Sequence, residues 1–174
     1  MSFEEHLSAD ARVADLLRDY RNAERFIKLC KECPCFARSW LCPPISTEIV
    51  ERMEASRHAR IEALKIIPEA ECTLSGAEII QQSRKEFEQK LLDLEKELNG
   101  MACGFSGNCP YCGDTPCARL EGRPCRHSEK ARPSLEALGF DVAAIAADIL
   151  GTPIKWEADG SRPPYYMLVG AVFY

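Results

Sequence analysis

With 174 residues, 46% of them hydrophobic and 28% charged, the chain has ordinary globular composition and is long enough to bury a core without crosslinks. A net charge of -5, with no basic block and no interleaving of glycine with aromatics, argues against a dedicated nucleic-acid binder. Met1 to Asp10 holds Glu4, Glu5 and His6 without an apolar run, unlike a secretory signal peptide, and the most apolar stretch, Tyr165 to Tyr174, is about half a membrane span. The expectation is one domain over residues 1–174, off the membrane and in the reducing cytoplasm. There, ten cysteines point to metal or redox chemistry before disulfides.

In chain order, Leu7, Val13, Leu16, Leu17 and Tyr20 recur at helical spacing and predict an N-terminal helix. Phe26, Ile27 and Leu29 lead into a first cysteine group, Cys30 to Cys42. Pro43-Pro44 stops regular structure, and Ser46 or Thr47 caps a short helix to about Arg57. Ile61 to Ile67 reads as a strand ended by Pro68. Ser75 with Glu78 forms a capping box for a long helix whose face carries Ile79, Ile80, Phe87, Leu91, Leu94 and Leu98, closing at Asn99-Gly100.

Met101 to Phe105 is expected as a short strand feeding the second cysteine group, Cys109 to Cys125. Pro133 opens a short helix that ends at Gly139, and Asp141 caps another over Val142 to Leu150. Tyr165 to Tyr174 is the strongest strand and is expected in the centre of a sheet. The fold class expected is α+β: a small mixed or antiparallel sheet, several helices, and two cysteine-rich metal-binding loops at 30–44 and 103–127.

The first group is Cys30-x2-Cys33-x-Cys35-x6-Cys42 and the second Cys109-x2-Cys112-x4-Cys117-x7-Cys125. A C-x2-C step lets two thiolates address one centre from a single turn, and later cysteines close the site. Zinc would take four ligands, for instance Cys30/Cys33 with Cys109/Cys112. Iron–sulfur centres tolerate uneven spacing, and each group already has four cysteines. Prolines beside Cys33, Cys42, Cys109, Cys117 and Cys125 turn the chain around a bulky centre, and no histidine stands at zinc-finger spacing. The reading is therefore one or two [4Fe–4S] centres, with zinc as the alternative. Neither group has the bacterial ferredoxin run. Cys72 and Cys103 stand apart and read as structural.

CPCFARSWLCPP (Cys33 to Pro44) and NCPYCGDTPCARLEGRPCRHSEKARPSLEALGFDV (Asn108 to Val142) resemble a bacterial and archaeal family known as predicted metal-binding proteins. Its landmarks are Trp-x-Cys-Pro-Pro and a later multi-cysteine stretch running into Arg-Pro-Ser-(Leu/Met)-Glu-Ala. The resemblance implies Cys33, Cys42, Cys109, Cys112, Cys117 and Cys125 as ligands and supplies no reaction. Cys35 and Phe36 depart from its pattern, and so does Ser128, near an expected proline.

Arg126 and His127 could donate hydrogen bonds to cluster sulfurs, against the plain reading of a solvated turn. Trp40 could shield a centre from water or simply pack. His6 and His58 read as surface residues in helical surroundings. An anion at Arg132-Pro133-Ser134, near Arg126 and Lys130, is weighed against ordinary helix capping. No phosphate loop, nucleophile elbow or histidine–carboxylate motif appears. The functional expectation is electron transfer with a protein redox partner. A zinc-held scaffold, or an enzyme whose centre has an open iron, are the other classes.

Overall fold

The computed structural model describes residues 2–104, 107 and 109–174. Its strands are β1 (Ser2–Arg12), β2 (His58–Pro68), β3 (Met101–Cys103) and β4 (Tyr166–Phe173), and its helices α1 (Val13–Asp19), α2 (Ala23–Glu32), α3 (Thr47–Ala55), α4 (Gly76–Glu97) and α5 (Val142–Asp148). The strands form one antiparallel sheet in the order β1-β2-β4-β3. The class is α+β, as expected.

β4 is buried at all eight positions because the sheet is covered on both faces. Side chains alternate across a strand. Met167, Val169, Ala171 and Phe173 therefore join Val13, Leu16, Met53 and Ile145, from α1, α3 and α5, in one core. Tyr166, Leu168 and Val172 join Ile79, Phe87 and Leu91 of α4 in the other. β2 divides likewise, with Ala59, Ile61 and Ala63 on the first face and Leu64 and Ile66 on the second. This two-sided burial is why Tyr165 to Tyr174 reads as a continuous apolar run rather than an alternation.

The capping box of α4 is present in both directions: Glu78 N–H donates to Ser75 Oγ (3.3 Å) and Ser75 N–H to Glu78 Oε2 (2.8 Å). The helix lies so close to β4 that a Cβ at Gly170 would stand 2.5 Å from Leu91 Cδ1 and 2.7 Å from the Cys103 carbonyl oxygen. One of those neighbours is backbone and cannot swing away. Gly170→Ala is expected to cost about 1–3 kcal/mol by overpacking, read as a lower urea midpoint with an unchanged slope. An unchanged midpoint would mean that α4 moves off the sheet freely.

Three expectations need correction. Ser2–Arg12 is a strand, not the start of a helix, and it pairs along its full length with β2, from Ser2 opposite Pro68 to Arg12 opposite His58. Helix begins only at Val13. His6 and His58 are exposed, as expected, but they sit on β1 and β2 rather than on helices. Pro133 opens no α-helix: Gly104 bridges to Ser134, and a 3₁₀ turn over Glu136–Leu138 follows, ended by Gly139 at φ 92°. Hydrogen bonding to β3's extension keeps that segment extended where a helix would start. Of the strand expected over Met101 to Phe105, Met101–Cys103 is observed and Phe105 lies outside the described residues.

Candidate metal centre

The first cysteine group hangs from the C-terminus of α2. Cys30 lies in the last turn and Cys33 caps it, its N–H donating to the Cys30 carbonyl (3.1 Å). Beyond the helix the chain makes a succession of tight turns: Phe36 N–H to Cys33 O, Arg38 N–H to Cys35 O and Cys42 N–H to Ser39 O. Ala37, at φ 56°, closes the loop by donating to the Pro43 carbonyl (3.0 Å). The loop so formed brings its thiols close enough to feel one another's charge. Burial raises the Cys30 pKa, and the Cys42 and Cys33 thiolates add to the rise. Burial likewise raises Cys35, followed by the charge of Cys33 and a hydrogen bond that the Cys35 thiol shares with Cys33, and then by Cys42.

The second group lies in the long connection after β3, with Cys109, Cys112 and Cys117 before the 3₁₀ turn over Ala118–Glu121 and Cys125 after it. Gly113 (φ 55°) and Gly122 (φ 65°) take the left-handed conformation that its turns require. Burial raises the Cys109 thiol, Tyr111 N–H opposes the rise, and Cys112, Cys125 and Cys117 add to it. The two groups are thus two nests of four thiols. All ten cysteines of the chain are free. Among the described residues, no three His, Cys, Asp or Glu side chains are drawn up around a point where an ion could sit.

A backbone motif recurs in both nests. Cys35 N–H donates to Cys33 Sγ (3.5 Å) and His127 N–H to Cys125 Sγ (3.4 Å), and the Tyr111 amide favours the Cys109 thiolate in the same sense. Each donor lies two residues after its sulfur. Ser39, largely buried, adds its hydroxyl to Cys42 Sγ (3.4 Å). Donors aimed at sulfur favour the thiolate, which is the form that binds metal.

Arg119, which sequence reasoning did not single out, locks the nests together. It stands in the second loop, yet its Nη1 donates to the carbonyls of Ser39 (2.7 Å) and Cys42 (2.5 Å) and its Nη2 to that of Pro44 (2.9 Å). Its guanidinium also lies over the Trp40 ring, 5.2 Å from the centroid. Trp40 returns the contact by donating from Nε1 to the Arg123 carbonyl (3.2 Å), so it ties the two loops together. No spacing in the sequence announces such an arginine; its partners are backbone atoms some eighty residues away. A cavity of about 410 Å³ lies where the loops meet, and Cys35 lines it together with Cys109, Cys112 and Cys117.

Two further anchors tie the second loop to α4. Tyr111 Oη donates to Glu88 Oε2 (2.7 Å), and Glu88 is paired with Arg84 Nε (2.7 Å). Arg132 makes a two-pronged contact with Glu95 through Nε (2.8 Å) and Nη2 (2.6 Å). Its other N–H groups reach the carbonyls of Ser128, Ala131 and Glu129. Burial works to raise the Glu95 carboxyl, but Arg132 and the Ala102 amide outweigh it and hold the group below the ordinary range.

With its donors occupied by Glu95 and by backbone carbonyls, Arg132 is a strut. Arg126 donates to the Pro116 carbonyl (2.8 Å), and it is the His127 amide that meets Cys125. Cys103 is fully buried on β3, and burial raises its pKa far above the usual thiol range. Cys72 lies apart in the turn after β2, and its carbonyl accepts from Arg162.

The family described as predicted metal-binding protein (DUF2284) matches residues 17–172, and the chain belongs to it. No curated protein and no solved structure matches. The matched span takes in both nests, Arg119 and Trp40.

Proposed function

We propose that this member of the predicted metal-binding family is an electron-transfer protein with two [4Fe–4S] centres, one held by Cys30, Cys33, Cys35 and Cys42, the other by Cys109, Cys112, Cys117 and Cys125. What supports the reading is the cavity where the two loops meet, lined by Cys35 of one group and Cys109, Cys112 and Cys117 of the other, with the thiols of each group near enough to act on one another's charge. The donor set fits such a centre in chemistry as well as number: every candidate ligand is a thiol, and amide or hydroxyl donors meet Cys33, Cys42, Cys109 and Cys125.

An iron–sulfur centre supplies a reversible one-electron couple whose potential is set by burial and by hydrogen bonds to sulfur. The chain's own residues do the rest. The three amides and Ser39 hold their thiolates in the charged form. Arg119 keeps the loops in register and places a positive charge between two sites that gather negative charge. The rim is open enough for a protein redox partner to approach, with Cys33, Leu120 and Leu29 exposed. The setting is the reducing cytoplasm, where ten free thiols persist.

Iron, zinc and acid-labile sulfide are to be measured on protein purified without oxygen, together with the absorption spectrum. The expected result is about eight irons and eight sulfides per chain and a broad band near ~400 nm that dithionite bleaches. One or two zincs without sulfide would overturn the redox reading and leave a zinc-held scaffold.

A further inference from the structure

A second cavity, about 630 Å³ in volume, opens between α3, β3 and the segment 122–133, and Cys125 stands in its wall. That volume is within the range of small-molecule sites. Ile49, Met101 and Trp40 give it apolar surface. Two of its charged residues, Arg132 and Glu95, neutralise each other and are fixed by backbone partners, as described above. Two others are available. Glu48 and Arg52 lie four residues apart on α3, so they share one face of the helix and both line the cavity. Neither pairs with the other among the described residues. One Arg52 N–H reaches the Gly100 carbonyl (2.7 Å) and its charge is felt by Glu95, but among the described residues no ion pair holds its guanidinium.

The cavity therefore presents one cation and one anion, a helical turn apart, beside an apolar wall. We infer that it binds a small zwitterion with an apolar side group, in chemical terms an amino acid. Its carboxylate faces Arg52, its ammonium faces Glu48, and its side chain lies against Ile49, Met101 and Trp40. A dicarboxylate would set its second charge against Glu48, and a diamine would set one against Arg52. The site adjoins the second nest through Cys125 but does not depend on which metal is held there.

The test is calorimetric titration of the metal-loaded protein with L-phenylalanine, and with its two halves, 3-phenylpropionate and 2-phenylethylamine. Phenylalanine is expected to bind, and each half to bind roughly tenfold or more weakly, because each leaves one of the two ion pairs unmade. Arg52→Gln should bring phenylalanine down to the level of the amine, and Glu48→Gln to the level of the acid. Both side chains are exposed, so these variants are expected to fold. Absence of phenylalanine binding, equal binding of either half, or indifference to both substitutions would overturn the inference. The metal assay reads separately, so a zinc result leaves this test intact.

Discussion

Stripping the metal from the folded protein is expected to free the two cysteine loops while the sheet stays closed. None of the eight candidate ligands belongs to either hydrophobic core; the only cysteine there that is fully buried is Cys103 on β3. The loops contain little apolar burial of their own, Leu41 and Ala118 being the main cases. They are held by Arg119, the Trp40–Arg123 contact, Tyr111 on Glu88, and Arg132 on Glu95. Most of these are polar ties at partly exposed positions, each worth about 1 kcal/mol. Metal coordination at such a site is itself folding free energy, and its removal takes that energy from the loops alone.

Hydrogen exchange before and after chelation reads this directly. Amides in 33–44 and 109–131 are expected to speed up by roughly 100-fold or more, while those of β2 and β4 keep their protection. Collapse of protection across β4 would show instead that the nests hold the whole fold. No change anywhere would show that the loops stand without metal.

How much of this was legible before the structure depended on where the physical signal was local. The α4 capping box needs only Ser75 and Glu78 three residues apart, and the burial of β4 follows from an uninterrupted apolar run. Both were readable. The N-terminal strand was not, because its period-2 signal is carried by Leu7, Ala9 and Ala11, two of them small, and it runs into a real helix at Val13. Helical spacing from Val13 onward extended backwards over Leu7 and masked the alternation. The segment after Pro133 failed differently: Pro-Ser-Leu-Glu-Ala is good local helix chemistry, but Gly104 claims Ser134 as a strand partner, and no window of sequence contains both. The cysteines themselves could be found by counting. The residues that pose them could not, since Arg119 acts on backbone carbonyls, which carry no sequence signature. Arg84 and Glu88 were visible in principle, as a charged pair at i and i+4 that intrudes on the apolar face of α4.

That pair yields the largest stability effect expected of a single substitution. The Arg84 and Glu88 side chains are only 5% and 9% exposed, and Nε meets Oε1 at 2.7 Å. An ion pair so placed gains little over a well-packed apolar pair, because both charges lost their water. Breaking it from one side is another matter. Arg84→Met leaves the Glu88 carboxylate buried with, among the described residues, the Tyr111 hydroxyl as its remaining side-chain donor, at a cost of about 3–5 kcal/mol in denaturant unfolding. The double change Arg84→Met with Glu88→Leu removes both charges and should recover most of the loss, so the cycle shows strong coupling. What it should not recover is the second nest. Tyr111 would still lack its acceptor on α4, and Tyr111 is the residue whose amide serves Cys109. The double variant is therefore expected to unfold near the wild-type midpoint yet lose metal faster to a chelator, with the added loss traced to the cysteines at 109–125. If it holds metal as tightly as the wild type, the Tyr111–Glu88 contact is a consequence of the loop's position and not its cause.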